Sequence, residues 1–198
     1  MARSVADKKG YHHGDLRAAL ITEGLKLLDA GAADDLSLRE VARAAGVSAT
    51  AVYRHFPDKT ALLEALATAG FARLAAAQVQ AAEAAPDRAQ GFNATGRAYV
   101  RFALAHPGLF RLMFSFAPKS DAFGCDASPT DDAMALLMAN AAALAPASEG
   151  PDGARLFALR SWSLVHGLAI LMLEGHVPAD PALVDAAIDV RGFMVSRR

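Results

Sequence analysis

Between Ser37 and Asp58 the chain starts a helix three times, and this dense punctuation restricts the fold more than any other feature of the sequence. The stretch reads SLREVARAAGVSATAVYRHFPDK from Ser37 to Lys59. Ser37 and Glu40 have the spacing of a capping box, in which the serine hydroxyl accepts from the backbone N–H of Glu40 and the carboxylate reaches back to the N–H of Ser37. Leu38, Val41, Ala42 and Ala45 then form an apolar stripe, and Gly46 suits the left-handed backbone that ends such a helix. Ser48 can cap the next helix. That helix is short, because Pro57 disfavours helical geometry at Phe56 and has no N–H to donate. Asp58 caps another. Two short helices joined by only about three residues are a helix-turn-helix.

Upstream, Leu16, Leu20, Leu27 and Leu28 share one side of a helix, with Asp15 as its N-cap and Gly31 as its stop. Downstream, helical patterns run over 58–84, 87–105, the compact LFRLMFSF segment after His106-Pro107-Gly108, 131–144, 152–174 and 181–196. The stretch APKSDAFGCDASPTDD between them has turn formers and no periodicity, so it reads as a loop. No strand-like alternation is long enough to build a sheet. The expected fold class is all-α, with about nine helices. The expected organisation is a flexible basic arm over 1–13 carrying Arg3, Lys8 and Lys9, a helix-turn-helix domain over 14–62, and a second helical domain over 63–198.

Composition sets outer limits. The 198 residues suffice for a real core without a staple, and 54% of them are hydrophobic. A net charge of −1 argues against coating nucleic acid by bulk positive charge, but leaves room for a local basic surface. Cys125 is the only cysteine, so an intrachain disulfide is impossible and a reducing cytoplasmic home is the natural expectation. Its neighbour Asp126 disfavours the thiolate, which makes it an incidental loop cysteine. The N-terminus has no apolar core of a secretory signal. The most apolar later stretch, Leu164 to Leu173, is about half the roughly 20 residues that span a bilayer, so it reads as a buried helix and no membrane partner is expected. Adjacent His12 and His13 diverge and have no further ligand at helical spacing, so no metal and no cofactor are expected.

The short helix after Ser48 divides into two faces. Val52 and Phe56, one turn apart, face the bundle; Ala49, Thr50, Tyr53 and Arg54 face outward. Tight helix-helix turns also occur as plain packing, so the turn alone decides nothing. The residue types add to it. An arginine can pair with guanine O6 and N7, and an alanine methyl can meet a thymine methyl. Lys59 stands in the first turn of the next helix, where its charge adds to the helix-terminal N–H groups as a phosphate site.

With SLREVARAA before it, GVSATAVYRHFPDKTALLEAL resembles the DNA-binding domain of the TetR-type bacterial transcriptional regulators, over residues 14 to 65. The glycine turn, tyrosine, phenylalanine and lysine all fall at the family spacing. The resemblance implies that the third helix enters a DNA major groove, with Tyr53 and Lys59 holding phosphates. By the same resemblance Ala49, Thr50 and Arg54 lie at base edges, His55 lies near the backbone, Arg39 reaches in from the second helix, and Ser48 stands at the DNA-facing helix start. The rest of the chain would be a dimerising, ligand-sensing domain.

Two further stretches, YVRFALAHPGLFRLMFS from Tyr99 and WSLVHG from Trp162, resemble the ligand-binding domain of a TetR subgroup named for its Trp, His and Gly. In such proteins the later helices enclose a mainly apolar cavity and the last two pack on a second subunit. Tyr99, Phe102, Phe110, Met113, Phe114 and Trp162 are the expected pocket residues, with His166 as a polar handle one turn after Trp162. Aromatic and methionine stripes also describe plain core, and His166 a satisfied core histidine. For the dimer interface the expected stripes are Leu159, Val165, Ala169 and Met172, then Leu183, Ala187, Val190 and Met194. Intramolecular packing would use the same pattern.

The function expected is a ligand-responsive transcriptional regulator, a repressor that binds a palindromic DNA operator as a homodimer and is released by a small, mainly apolar effector. A helical adaptor using the same N-terminal face for a protein partner is the alternative. An enzyme is disfavoured, because no nucleophile-base pair, Gly-rich phosphate loop, metal cluster or carboxylate pair stands out.

Overall fold

The computed structural model describes residues 16–31, 36–116, 132–145, 150 and 152–189. Among them are nine α-helices and no strand: α1 (Leu16–Asp29), α2 (Leu38–Ala44), α3 (Ala49–Tyr53), α4 (Lys59–Glu83), α5 (Arg88–Ala105), α6 (Pro107–Phe116), α7 (Asp132–Leu144), α8 (Gly153–Leu173) and α9 (Pro181–Ala187). The chain is all-α, as the periodicity indicates. The basic arm, the Asp15 cap, the loop holding Cys125, and Val190 and Met194 lie outside the described residues.

Local chemistry sets the first helix boundaries. Ser37 Oγ accepts from Glu40 N–H at 3.2 Å, while the Glu40 carboxylate is met by the Ser37 hydroxyl, also at 3.2 Å. At the other end of α2, Gly46 takes φ +68°. Its N–H donates to Arg43 C=O at 3.2 Å, and Val47 N–H reaches back to Ala42 C=O at 3.0 Å. This is a Schellman closure, and it requires the left-handed residue that only glycine adopts cheaply. Ser48 accepts from Ala51 N–H at 3.3 Å to start α3, and Asp58 accepts from Ala61 N–H at 2.8 Å to start α4.

The last helix is shorter than its pattern suggests. α9 ends at Ala187 rather than Ser196. Ile188 leaves the helix to bury its side chain, its C=O accepts from Arg97 Nη2 at 3.4 Å, and Asp189 accepts from Asn93 at 3.3 Å. Tertiary partners on α5 outweigh helical propensity here.

One apolar core runs from the N-terminal helices into the bundle. Leu20, Val41, Val52 and Phe56 are continuous with Leu62 and Leu66 of α4, and these with Val100, Leu109, Phe110 and Met113. The expected boundary at 62/63 therefore falls inside α4. That helix packs on α1, α5, α6 and α7, while α8 packs on α5 and α7 and α9 lies on α5. At Gly70 a Cβ would come within 2.7 Å of Met113 and 2.9 Å of Leu109, so the α4–α6 crossing depends on the missing side chain. A smaller cluster of Ala141, Phe157 and Ala158 sits against Phe92 and Met138. By length and composition α4 and α8 could each cross a membrane, but each buries a face in this bundle.

Candidate DNA-binding surface and sensor core

Helix α3 is held by its inner face. Val52 and Phe56 are 0% and 1% exposed, and the Arg17 guanidinium lies 5.3 Å from the centre of the Phe56 ring. Thr50, Tyr53 and Arg54 are exposed, as are Ser48, Arg39 and Lys59, whereas Ala49 and His55 are half-buried. Six of the eight residues expected to meet DNA are thus exposed, at the start of α2, on and at either end of α3, and in the first turn of α4. Ser48 already uses its hydroxyl as a cap, so its contribution there is to set where α3 begins. Lys59 is the first residue of α4, beside N–H groups that a helix leaves without intrahelical partners. The short helix offers small residues first and long hydrogen-bonding side chains after them, a shape suited to close approach followed by reach.

Behind this surface the bundle assembles most of the expected pocket residues. Tyr99 packs edge-on against Phe110 at 5.6 Å, Phe110 lies 4.9 Å from Phe114, and Phe114 lies 4.6 Å from the His166 ring. Trp162 and His166 are 5.7 Å apart, one turn from each other on α8. Met113 is fully buried beside Gly70. Phe102 departs from the group: its ring lies 4.9 Å from His106 and it lines a groove between α4 and α5.

A hydrogen-bond chain threads the aromatic cluster. Trp162 Nε1 donates to Tyr99 Oη at 3.3 Å, and Tyr99 Oη lies 2.8 Å from His166 Nδ1. An indole N–H can only donate, so the Tyr99 oxygen accepts from Trp162, and the same hydroxyl shares a hydrogen bond with His166 Nδ1 whose direction follows the imidazole tautomer. Burial lowers the His166 pKa from its ordinary 6.5, which favours the neutral ring. A neutral histidine inside an aromatic shell offers one polar contact in an apolar setting.

The expected dimer stripe needs correction. Val165, Ala169 and Met172 are buried inside the protomer, at 9%, 0% and 5% exposure, because their spacing turns them toward α5. Helix α8 is apolar nearly all round, so its pattern cannot say which face is inward. Its exposed leucines are Leu156, Leu159 and Leu171; on α9 Leu183 is exposed and Ala187 half-buried.

Sequence reasoning missed two charged groups. Asp29 at the end of α1 lies 2.7 Å from His106 Nδ1 and 3.7 Å from Arg73, tying the N-terminal helices to α4 and to the α5–α6 corner. Arg97 and Arg101, one turn apart on α5, both reach Asp185 of α9, at 2.9 and 3.2 Å. The i, i+4 arginine spacing was visible; its acidic partner, some eighty residues on, was not.

Comparison with known proteins gives one family throughout. Residues 20–66 match the family described as bacterial regulatory proteins, tetR family, and residues 92–190, half of the chain, match the Tetracyclin repressor-like C-terminal domain. The latter description does not extend to the Trp-His-Gly subgroup. A protein of unknown function from Rhodococcus sp. RHA1 is 36% identical, with 91% of this chain and 93% of that one covered and a TM-score of 0.70. At lower identity the fold is shared with a tetR-family transcriptional regulator from Streptomyces coelicolor (21%, covering 90% of this chain and 79% of that one, TM-score 0.63). It is also shared with a TetR transcriptional regulator from Rhodococcus sp. RHA1 (19%, covering 93% and 100%, TM-score 0.57). A comparison with curated proteins gives no match. A helix-turn-helix with an outward polar face, fused through α4 to an aromatic-cored bundle and matched along both halves, makes this chain a member of the TetR family of DNA-binding transcriptional regulators.

Proposed function

We propose that the protein is a cytoplasmic repressor that binds a palindromic operator as a homodimer and leaves it when a small, mainly apolar effector enters the bundle. The observation that carries this reading is the division of α3 and the turn after it into a fully buried side, Val52 and Phe56, and an exposed side bearing Thr50, Tyr53 and Arg54. In this reading Tyr53 and Lys59 anchor phosphates, with His55 and Ser48 beside them. Ala49, Thr50 and Arg54 meet base edges, and Arg39 reaches in from α2. Two copies of so short a helix give the affinity and palindrome reading that one cannot. The dimer face we assign to α8 and α9 is Leu159, Leu171 and Leu183, with Ser163 and Gly167 between the first two allowing close helix approach. A Cβ at Gly167 would meet nothing within 4 Å, so the protomer itself does not require glycine there. The effector would lie among Tyr99, Phe110, Phe114 and Trp162 with His166 as its polar contact, and would release DNA only by binding the released state more tightly.

Binding to the DNA flanking its own gene over a salt series tests the reading. A dimeric regulator loses affinity steeply with salt and saturates at a palindrome. Flat, weak binding to every sequence would remove the proposal and favour a protein adaptor. Within the site, Lys59→Ala is expected to weaken all sequences about equally, whereas Arg54→Ala or Thr50→Ala changes sequence preference.

A further inference from the structure

A groove of about 790 Å³ runs along the outer seam of α4 and α5, away from the aromatic core. Its floor is apolar, with Ala77 and Ala81 of α4 facing Ala98 and Phe102 of α5. Along its length stand Arg97 and Arg101, with His106 at the α5 C-terminus and Asp185 of α9 as the acidic group among its lining residues.

The charges do not balance. Two guanidiniums converge on one carboxylate, and both reach the same oxygen: Arg97 Nε lies 2.9 Å from Asp185 Oδ1, and Arg101 Nη2 donates to that oxygen at 3.2 Å. The Arg97 contact is ionic rather than directed, because its buried Nε–H lacks the alignment of a hydrogen bond. Arg97 Nη2 also donates to Ile188 C=O at 3.4 Å, but among the described residues Asp185 is the one carboxylate that the two guanidiniums share, although each arginine can serve a carboxylate in a two-point fork. Asp185 is itself 49% exposed at the side chain, on a helix of only seven residues, so its hold is weak enough to be exchanged.

We propose that this groove is a binding site for an amphipathic carboxylate, whose head displaces Asp185 from Arg97 and Arg101 and whose apolar chain lies on the alanine floor. Asp185 is then an internal occupant of the head site, and a ligand that replaces it uncouples α9 from α5. The far end of the groove meets His106, whose Nδ1 contacts Asp29 of α1, so occupancy is also adjacent to the joint with the DNA-reading helices. This site does not depend on the effector reading of the aromatic core.

Calorimetric titration of the full chain with decanoate, below its micellar concentration, tests the proposal against decanol as the uncharged control. Decanoate binds and decanol does not. Arg101→Gln, at a side chain 60% exposed and therefore safe for folding, weakens decanoate roughly five- to tenfold. Asp185→Asn removes the internal competitor and tightens it by a similar factor. Equal binding of decanoate and decanol, absence of binding, or an Asp185→Asn variant that binds no tighter than the parent would each overturn the proposal. So would decanoate binding that Arg101→Gln leaves intact and Phe114→Ala abolishes, since the carboxylate would then sit in the aromatic core.

Discussion

The two halves of the molecule are specified by different physics. In the N-terminal part, helices of seven and five residues are too short to be stable by propensity, so their ends carry the information: a serine cap, a Schellman glycine, a second serine and an aspartate, each with a hydrogen-bond partner. In the bundle, helices of 25, 18 and 21 residues have boundaries of less consequence, and side-chain volume at the crossings decides the arrangement. The lesson is that the helix-turn-helix is built by fixing backbone ends, and the bundle interior by fitting shapes. Each half should fail in its own way.

The largest effect is expected where the two kinds of specification meet. Phe56 is 1% exposed and anchors α3 to the common core, so Phe56→Ala should destabilise the protein by about 3–5 kcal/mol, read by urea unfolding. A loss below about 1 kcal/mol would mean that α3 is not held by this anchor. Next comes a volume change in the bundle. Gly70→Val places carbon against Met113 and Leu109, and overpacking there should cost about 1–3 kcal/mol, seen as a lowered Tm. The matching change at a helix end is Gly46→Ala. Open space surrounds that position, so only its φ of +68° resists the new side chain, and the cost should be near 1 kcal/mol. DNA affinity should fall far more for Gly46→Ala than for a bundle variant of equal stability loss. The comparison would collapse if both fell alike.

The smallest effect sharpens the interior side of the contrast. Burial holds the His166 pKa below 6.5, so at pH values between the folded and unfolded pKa the unfolded chain binds more protons at this residue. Its stabilising contribution is complete above about pH 6.5 and declines as the pH falls through the window beneath. Between about pH 7 and pH 5 the parent should therefore lose stability relative to His166→Phe, read from paired unfolding curves as the pH drops.

Legibility followed the same division. The caps at Ser37, Ser48 and Asp58 and the stop at Gly46 were readable because a cap is a local event within four residues. The inward Val52 and Phe56 were readable from spacing on a single face. In the bundle the existence of each helix was plain, but partners were not. Val165, Ala169 and Met172 form as good a stripe for a second subunit as for α5, and only the packed chain decides between them. Phe102 shares its helix with Tyr99 yet belongs to the outer groove, because its position relative to α4 is not encoded in α5 alone. The premature end of α9 has the same origin: Asn93 and Arg97 collect Asp189 and Ile188 across more than ninety residues of chain.

Helix α4 has a mechanical consequence. Its 25 residues form one rod of about 37 Å, with Lys59 at its N-terminal end and Gly70 pressed on α6 about 16 Å along. For a rigid lever pivoting at that glycine, a tilt of about 5° carries Lys59 through about 1.4 Å. In the proposed symmetric dimer the two ends would move in mirrored directions, so the separation of the two Lys59 residues would change by up to twice that distance. The separation of two half-sites on a duplex is fixed at about 34 Å per turn. In the proposed dimer, a tilt about the Gly70–Met113 contact that moves Lys59 by the width of one bond would thus reach the duplex as an error of spacing.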